Sequence, residues 1–99
     1  MFVTGEGNIN RQLEALKHKP SILVGTPARV YQLINIKKLK VHEVKTMVLD
    51  EADKLLGKTY IEHVYSIRKS LMKYTQILLF SASIDKKHVK KLIHLHIKP

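Results

Sequence analysis

The stretch Thr46–Asp53, TMVLDEAD, constrains this chain more than any other. Thr46 to Leu49 are apolar or β-prone and run without a break into Asp50 and Glu51. A run of this kind predicts a strand buried on both faces, as in parallel sheets. Open parallel sheets bind ligands just beyond the carboxyl ends of their strands. Asp50 and Glu51 stand at that end. Adjacent carboxylates there suit a magnesium–nucleotide site, where one holds the ion and the other orients water. The competing reading is a solvated acidic turn that caps the following helix.

The rest of the chain alternates around this strand. Met1–Thr4 is a strand candidate, stopped by Gly5, and Gly5–Asn8 reads as a turn. Ile9, Leu13 and Leu16 recur at helical spacing and predict a helix from Asn10 to Lys17, closed by Pro20. Ser21–Gly25 predicts a second apolar strand. Thr26 and Pro27 then suit the N-cap and first position of a helix whose apolar face is Val30, Leu33 and Ile34. The hydroxyl of Thr26, the first-turn amides and Arg29 could together hold a phosphate; taken alone, these residues fit an ordinary capped helix with an exposed Arg better. Residues 35–45 form a connector. After Asp50 a short helix spans Ala52–Leu56, and Tyr60, Val64, Ile67 and Leu71 mark a longer one. Thr75–Phe80 is a fourth strand, closed by Ser81, Ala82 and Ser83. A last helix starts at Asp85, with Ile84 stapled onto Val89 and a stripe through Leu92, Ile93 and His96. This alternation predicts an α/β fold: a mostly parallel sheet with helices on both faces.

With 99 residues the chain is at most one small domain. Its net charge of +10 favours a polyanionic partner, although charge alone does not separate RNA, DNA and anionic membrane. A Lys-rich solvated surface is the bland alternative. The absence of cysteine, of a signal peptide and of a membrane-length apolar run agrees with a cytoplasmic protein. The six histidines offer no metal site, since His94 and His96 are two apart on a helix. The four Tyr and two Phe fall mostly in the apolar stripes and are expected in the core, not on base-stacking surfaces.

Ala52–Thr59 ends in Gly-Lys-Thr and nearly matches a phosphate-binding loop. Such a loop wraps phosphates with successive amides and needs positive potential. This segment contains Leu55, Leu56 and Asp53 and follows Asp50 and Glu51, so the match reads as coincidence.

Gly25-Thr26-Pro27-Ala28-Arg29-Val30, Val48-Leu49-Asp50-Glu51-Ala52-Asp53 and Ser81-Ala82-Ser83 occur in that order. Together they resemble motifs Ib (usually TPGR), II (DEAD) and III (usually SAT) of the DEAD-box family of ATP-dependent RNA helicases. Gly5–Leu16, with Gln12 inside it, resembles the family's GG motif and the helix after it. The resemblance implies the second half of the first of two RecA-like domains: a partial P-loop NTPase fold lacking the phosphate-loop strand. The Q motif, motif I and motif Ia would precede Met1, and the second domain with its arginine finger would follow Pro99. The parent would be an RNA-stimulated ATPase coupled to RNA duplex unwinding, and residues 1–99 alone would be inactive.

The resemblance also assigns roles. Asp50 would hold Mg²⁺, through water, and Glu51 would orient and deprotonate the attacking water on ATP. Asp53, Ser81 and Ser83 would couple nucleotide state to RNA. Thr26, Arg29 and Gly5 would touch the RNA sugar–phosphate backbone, a contact that carries little base information. Three positions depart from the family pattern: Ala28 for Gly in motif Ib, Glu6 for the second Gly of the GG motif, and Ser83 for Thr in motif III. The alternatives are a non-enzymatic RNA-binding or scaffold domain derived from the helicase fold, and an unrelated basic α/β domain. Without the motif I strand beside it, Thr75–Phe80 would be an exposed apolar edge, which predicts self-association of the isolated piece.

Overall fold

The computed structural model describes residues 1–83 together with Lys87 and Lys90. The helix expected from Asp85 lies outside the described residues, as do His94 and His96. The order of elements is β1 (Phe2–Val3), α1 (Ile9–Leu16), β2 (Val24–Gly25), α2 (Pro27–Asn35), β3 (Thr46–Asp50), α3 (Ala52–Leu55), α4 (Ile61–Ser70) and β4 (Gln76–Phe80).

The strands pair in parallel, as the alternation requires, but as two two-stranded sheets, β1–β2 and β3–β4. Phe2 faces Val24 and Val3 faces Gly25 in the first. Its ladder is only as long as β1, so Ser21–Leu23 stay outside the strand expected there. In the second sheet the register runs from Thr46↔Gln76 to Asp50↔Phe80. That register brings Ser81, one residue beyond β4, to the same end as Asp50 and Glu51.

One face of the β3–β4 sheet makes the core. Leu49, Ala52, Leu56, Ile61 and Val64 are buried together, and Met47, Tyr65, Ile77 and Leu79 pack against them. These residues come alternately from the strands and from one stripe of α3 and α4, so period 2 meets period 3.6 at a single interface. Leu33 of α2 is also fully buried. Tyr31 of α2 and His63 of α4 stack obliquely, ring centres 5.8 Å apart.

The other face differs from the expectation of double burial. Val48 is 53% exposed, and Leu78 and Phe80 are exposed beside it. The described residues cover one face of β3 only. The aromatic residues also depart from expectation. Phe2, Phe80, Tyr60 and Tyr74 are all exposed, because each sits at a strand or helix end rather than within a buried stripe.

Candidate functional site

Two constellations form at carboxyl ends of strands. The first is an open cleft of about 340 Å³ lined by Asp50, Glu51, Asp53, Lys54, Phe80, Ser81 and Ala82. Glu51 makes the turn from β3 into α3 with φ 52° and ψ 48°, the left-handed region. A non-glycine residue pays about 1–2 kcal/mol for that conformation, and such strain gathers at functional sites. The turn lets the Glu51 carbonyl accept from the amides of both Lys54 (2.9 Å) and Leu55 (3.2 Å), which starts α3. Asp50 steadies it: its Oδ1 accepts from the Glu51 amide at 2.9 Å. Both carboxylates are exposed, and Lys54 Nζ lies 3.4 Å from Glu51 Oε2.

Ser81 bridges the cleft. Its Oγ accepts from the Asp53 amide at 3.2 Å and donates to the Ser83 carbonyl at 2.9 Å. The hydroxyl therefore links the start of α3 to the segment that leaves β4, and a movement of either would be felt by the other. Asp50, Glu51, Asp53, Ser81 and Ser83 are thus gathered at one place. Among the described residues no group of three or more His, Cys, Asp or Glu side chains converges on one point. Asp50, with one oxygen already used, could still hold Mg²⁺ through the other, because Mg²⁺ keeps several waters and takes further ligands from phosphates.

The near-match to a phosphate loop is no cradle. Its amides serve the helix and the turn after it: Lys54 and Leu55 donate to Glu51, Leu56 to Ala52 and Gly57 to Lys54.

The second constellation joins the carboxyl ends of β1 and β2. Thr26 caps α2 with an extended backbone, φ −79° and ψ 147°, but its hydroxyl makes no capping bond. Its amide instead donates to the Val3 carbonyl. The first-turn amides of α2 are left without a side-chain acceptor, next to an exposed hydroxyl. Gly5 is exposed, and a Cβ added there would meet nothing within 4 Å. Glycine at position 5 is therefore not required by the chain's own packing.

Arg29 is engaged more closely than its place in the first turn of α2 suggests. Its Nη1 donates to Gln12 Oε1 (2.8 Å) and to the Gly7 carbonyl (3.3 Å), and its Nη2 to the Gly5 carbonyl (3.2 Å). Gln12, buried on α1, completes the link by donating Nε2 to the Thr4 carbonyl at 3.1 Å. Gly7 leaves the space: a Cβ there would collide with Gln12 Nε2. Asn8 caps α1 through Oδ1, which accepts from the amides of Asn10 and Arg11. The loop 4–8 is thus folded around a guanidinium. Sequence reading marks Gln12 only as lying inside the GG-motif resemblance, and misses the buried link that it forms between Thr4 and Arg29.

Comparison with known proteins places both constellations in one lineage. The model of the DEAD/DEAH box helicase family matches residues 1–92. The probable ATP-dependent RNA helicase YfmL of Bacillus subtilis is 45% identical over 95 residues, 96% of this chain and 25% of that protein. The DEAD-box ATP-dependent RNA helicase CshC of Bacillus cereus is 44% identical over 82 residues, 83% of this chain and 21% of that protein. The chain therefore spans about a quarter or less of these relatives. Among solved structures, a DEAD box protein of the hyperthermophile Methanococcus jannaschii superposes with a TM-score of 0.83 at 35% identity, over 93% of this chain and 26% of that one. Mss116p bound to ssRNA and AMP-PNP superposes at 0.84 with 25% identity, over 96% of this chain and 20% of that one. The parallel strands and flanking helices are part of a RecA-like domain. With the family's model running through Gly5, Thr26, the Asp50–Asp53 turn and Ser81 alike, this chain belongs to the DEAD/DEAH box helicase family.

Proposed function

We propose that residues 1–99 are part of the first RecA-like domain of an ATP-dependent RNA helicase, carrying its GG motif and motifs Ib, II and III. The observation that carries this reading is the left-handed turn at Glu51. It sets two carboxylates side by side at a strand tip, with Ser81 hydrogen-bonded to the turn that follows. ATP is the nucleotide and RNA the polyanion that a net charge of +10 attracts. A cytoplasmic location belongs to the same reading.

The cleft residues divide the work of phosphoryl transfer. Asp50 would hold Mg²⁺, which would supply charge neutralisation at the phosphates. Glu51 accepts a hydrogen bond from a water and takes its proton as the water oxygen bonds to the γ-phosphorus. The bond from that phosphorus to the bridging oxygen breaks, and the electron pair leaves with ADP. Lys54 Nζ lies 3.4 Å from Glu51 Oε2 and helps to hold that side chain at the cleft. Ser81, tied to Asp53 and Ser83, passes the state of the cleft to the segment after β4.

At the other constellation, the Thr26 hydroxyl and the open first-turn amides of α2 take an RNA phosphate. Gly5 lets a sugar–phosphate chain come close to the main chain. Arg29 acts there by shaping loop 4–8 with its whole fork. Residues 1–99 by themselves do not hydrolyse ATP, since the described residues supply no loop of free amides for the triphosphate. Among the described residues one edge of β4 is unpaired, and that edge makes residues 1–99 self-associate, which sedimentation over a range of concentrations would reveal; a monomer at every concentration would refute it.

The deciding experiment is RNA-stimulated ATPase in the full-length protein. Wild type hydrolyses ATP faster with RNA, and Glu51→Gln abolishes that stimulation. Absence of stimulated hydrolysis in the wild type would leave a non-enzymatic RNA-binding domain as the better account, and equal stimulated rates in both proteins would overturn the role of Glu51.

A further inference from the structure

Over residues 1–83 the net positive charge lies at the end of the sheet opposite the cleft. The cleft carries Asp50, Glu51 and Asp53 against Lys54. Residues 36–45 and 68–75 hold seven cations and one carboxylate, a net +6 of the chain's +10. The fold brings these two segments together at the amino ends of β3 and β4. The Gln76 amide donates to the Lys45 carbonyl at 2.8 Å, Thr75 Oγ1 to the Val44 carbonyl at 3.0 Å, and the Tyr74 hydroxyl to the His42 carbonyl at 3.3 Å. Lys37, Lys38, Lys40, Lys45, Lys69 and Lys73 are all exposed on this rim. Its one carboxylate, Glu43, sits 3.7 Å from His42 rather than beside a lysine.

Crowding cations this way repels within a Debye length and does nothing for folding. It focuses positive potential for a polyanion. The rim also presents a ring. Tyr74 is 71% exposed, and its hydroxyl bond to His42 pins it in that position. A fixed, uncovered aromatic among lysines is the arrangement that binds single-stranded nucleic acid: cations track the backbone and the ring stacks a base. A duplex offers no free base to stack.

We propose that the amino-terminal rim of the β3–β4 sheet is a second RNA site, which takes the single-stranded extension of an RNA already held at the other end of the domain, with Tyr74 as its stacking ring. The choice of RNA rests on the proposed function; the site itself is independent of ATP hydrolysis.

The test uses the full-length protein and labelled oligouridines of about 6 and about 25 nucleotides, the shorter able to fill only one site. The variant K40Q/K45Q/K69Q/K73Q changes exposed side chains alone, and its melting temperature checks that it folds. For the long RNA, the slope of log affinity against log salt should become shallower by about 0.7 per lost phosphate contact, about 3 for four lysines. Affinity for the long RNA falls at least tenfold. Affinity for the short RNA, and ATPase stimulated by it, stay unchanged. Tyr74→Ala weakens long-RNA binding about tenfold or more, the worth of one stacked base, whereas Tyr74→Phe, which keeps the ring and loses only the His42 bond that pins it, loses clearly less.

Unchanged slope and affinity in the lysine variant overturn the proposal, as does a Tyr74→Phe loss equal to that of Tyr74→Ala. So does long-RNA binding that survives while binding to phosphatidylserine vesicles is lost, which would make the rim a membrane surface. Failure of the helicase reading shows instead as absence of RNA-stimulated ATPase in the wild type.

Discussion

Replacing Gln12 by leucine tests whether loop 4–8 is held by a side-chain link or by its own backbone. Leucine matches glutamine in helix propensity, so α1 loses nothing intrinsic. What goes is the Nε2 bond to the Thr4 carbonyl (3.1 Å) and the Oε1 acceptor of Arg29 (2.8 Å). A neutral hydrogen bond contributes about 1 kcal/mol and one to a charged donor about 1.5–3. Arg29 keeps the Gly5 and Gly7 carbonyls, so the sum is discounted to about 2 kcal/mol of local stability. Hydrogen exchange reads this directly. The Gly7 amide, which donates to the Thr4 carbonyl, should exchange about 30-fold faster in Gln12→Leu, while amides of β3 and β4 keep their rates. Gly7→Ala should have the same effect, because its methyl displaces the Gln12 amide. The double variant should then be no worse than either single one, as expected for groups in one network. Arg29→Lys keeps the charge but loses the fork, and should loosen the loop as well. Wild-type exchange at Gly7 in Gln12→Leu would refute the link.

Other expectations follow from single side chains. Leu56→Ala empties a fully buried position and should cost about 2–5 kcal/mol, visible as a lower denaturant midpoint. Gly25→Ala drives a methyl into Val3 and Val30 side chains and the Val3 carbonyl, and should cost about 1–3 kcal/mol by the same measurement. Glu51→Gly relieves the left-handed strain, so it should be more stable than Glu51→Ala by about 1 kcal/mol although both lack the carboxylate. Burial, and then the Glu62 charge, raise the Tyr65 phenol above its ordinary 10.0. The folded state holds that proton more tightly than the unfolded chain. The resulting stability is complete below about pH 10 and is lost as pH rises through the raised value. Tyr65→Phe should remove this part of the alkaline destabilisation in a pH series of melting temperatures.

The strands β3 and β4 were legible to within a residue, because an apolar run of five bounded by polar turns has few other uses. The adjacent carboxylates and the serine cluster could also be placed at one strand end from alternation alone. Three features could not. The bare face of Val48, Leu78 and Phe80 depends on what else covers a sheet, and the run of a strand carries no record of that. The left-handed backbone at Glu51 has no signal in its residue type, since position 51 keeps its carboxylate despite the strain. The bonds of Arg29 join residues 17 to 24 apart, beyond any local pattern. The apolar stripes predict most of the aromatic residues in the core, but Tyr74, just before β4, lies outside them and is exposed.

The account turns on Asp50 and Glu51 dividing the handling of ATP between them. Nucleotide affinity and single-turnover hydrolysis, measured side by side on the full-length protein with saturating RNA and magnesium, test that division. Glu51→Gln should bind ATP as wild type does and hydrolyse it at least a hundredfold more slowly, about the contribution of a positioned general base, whereas Asp50→Asn should lose magnesium-dependent binding itself. Hydrolysis by Glu51→Gln at the wild-type rate would contradict the account.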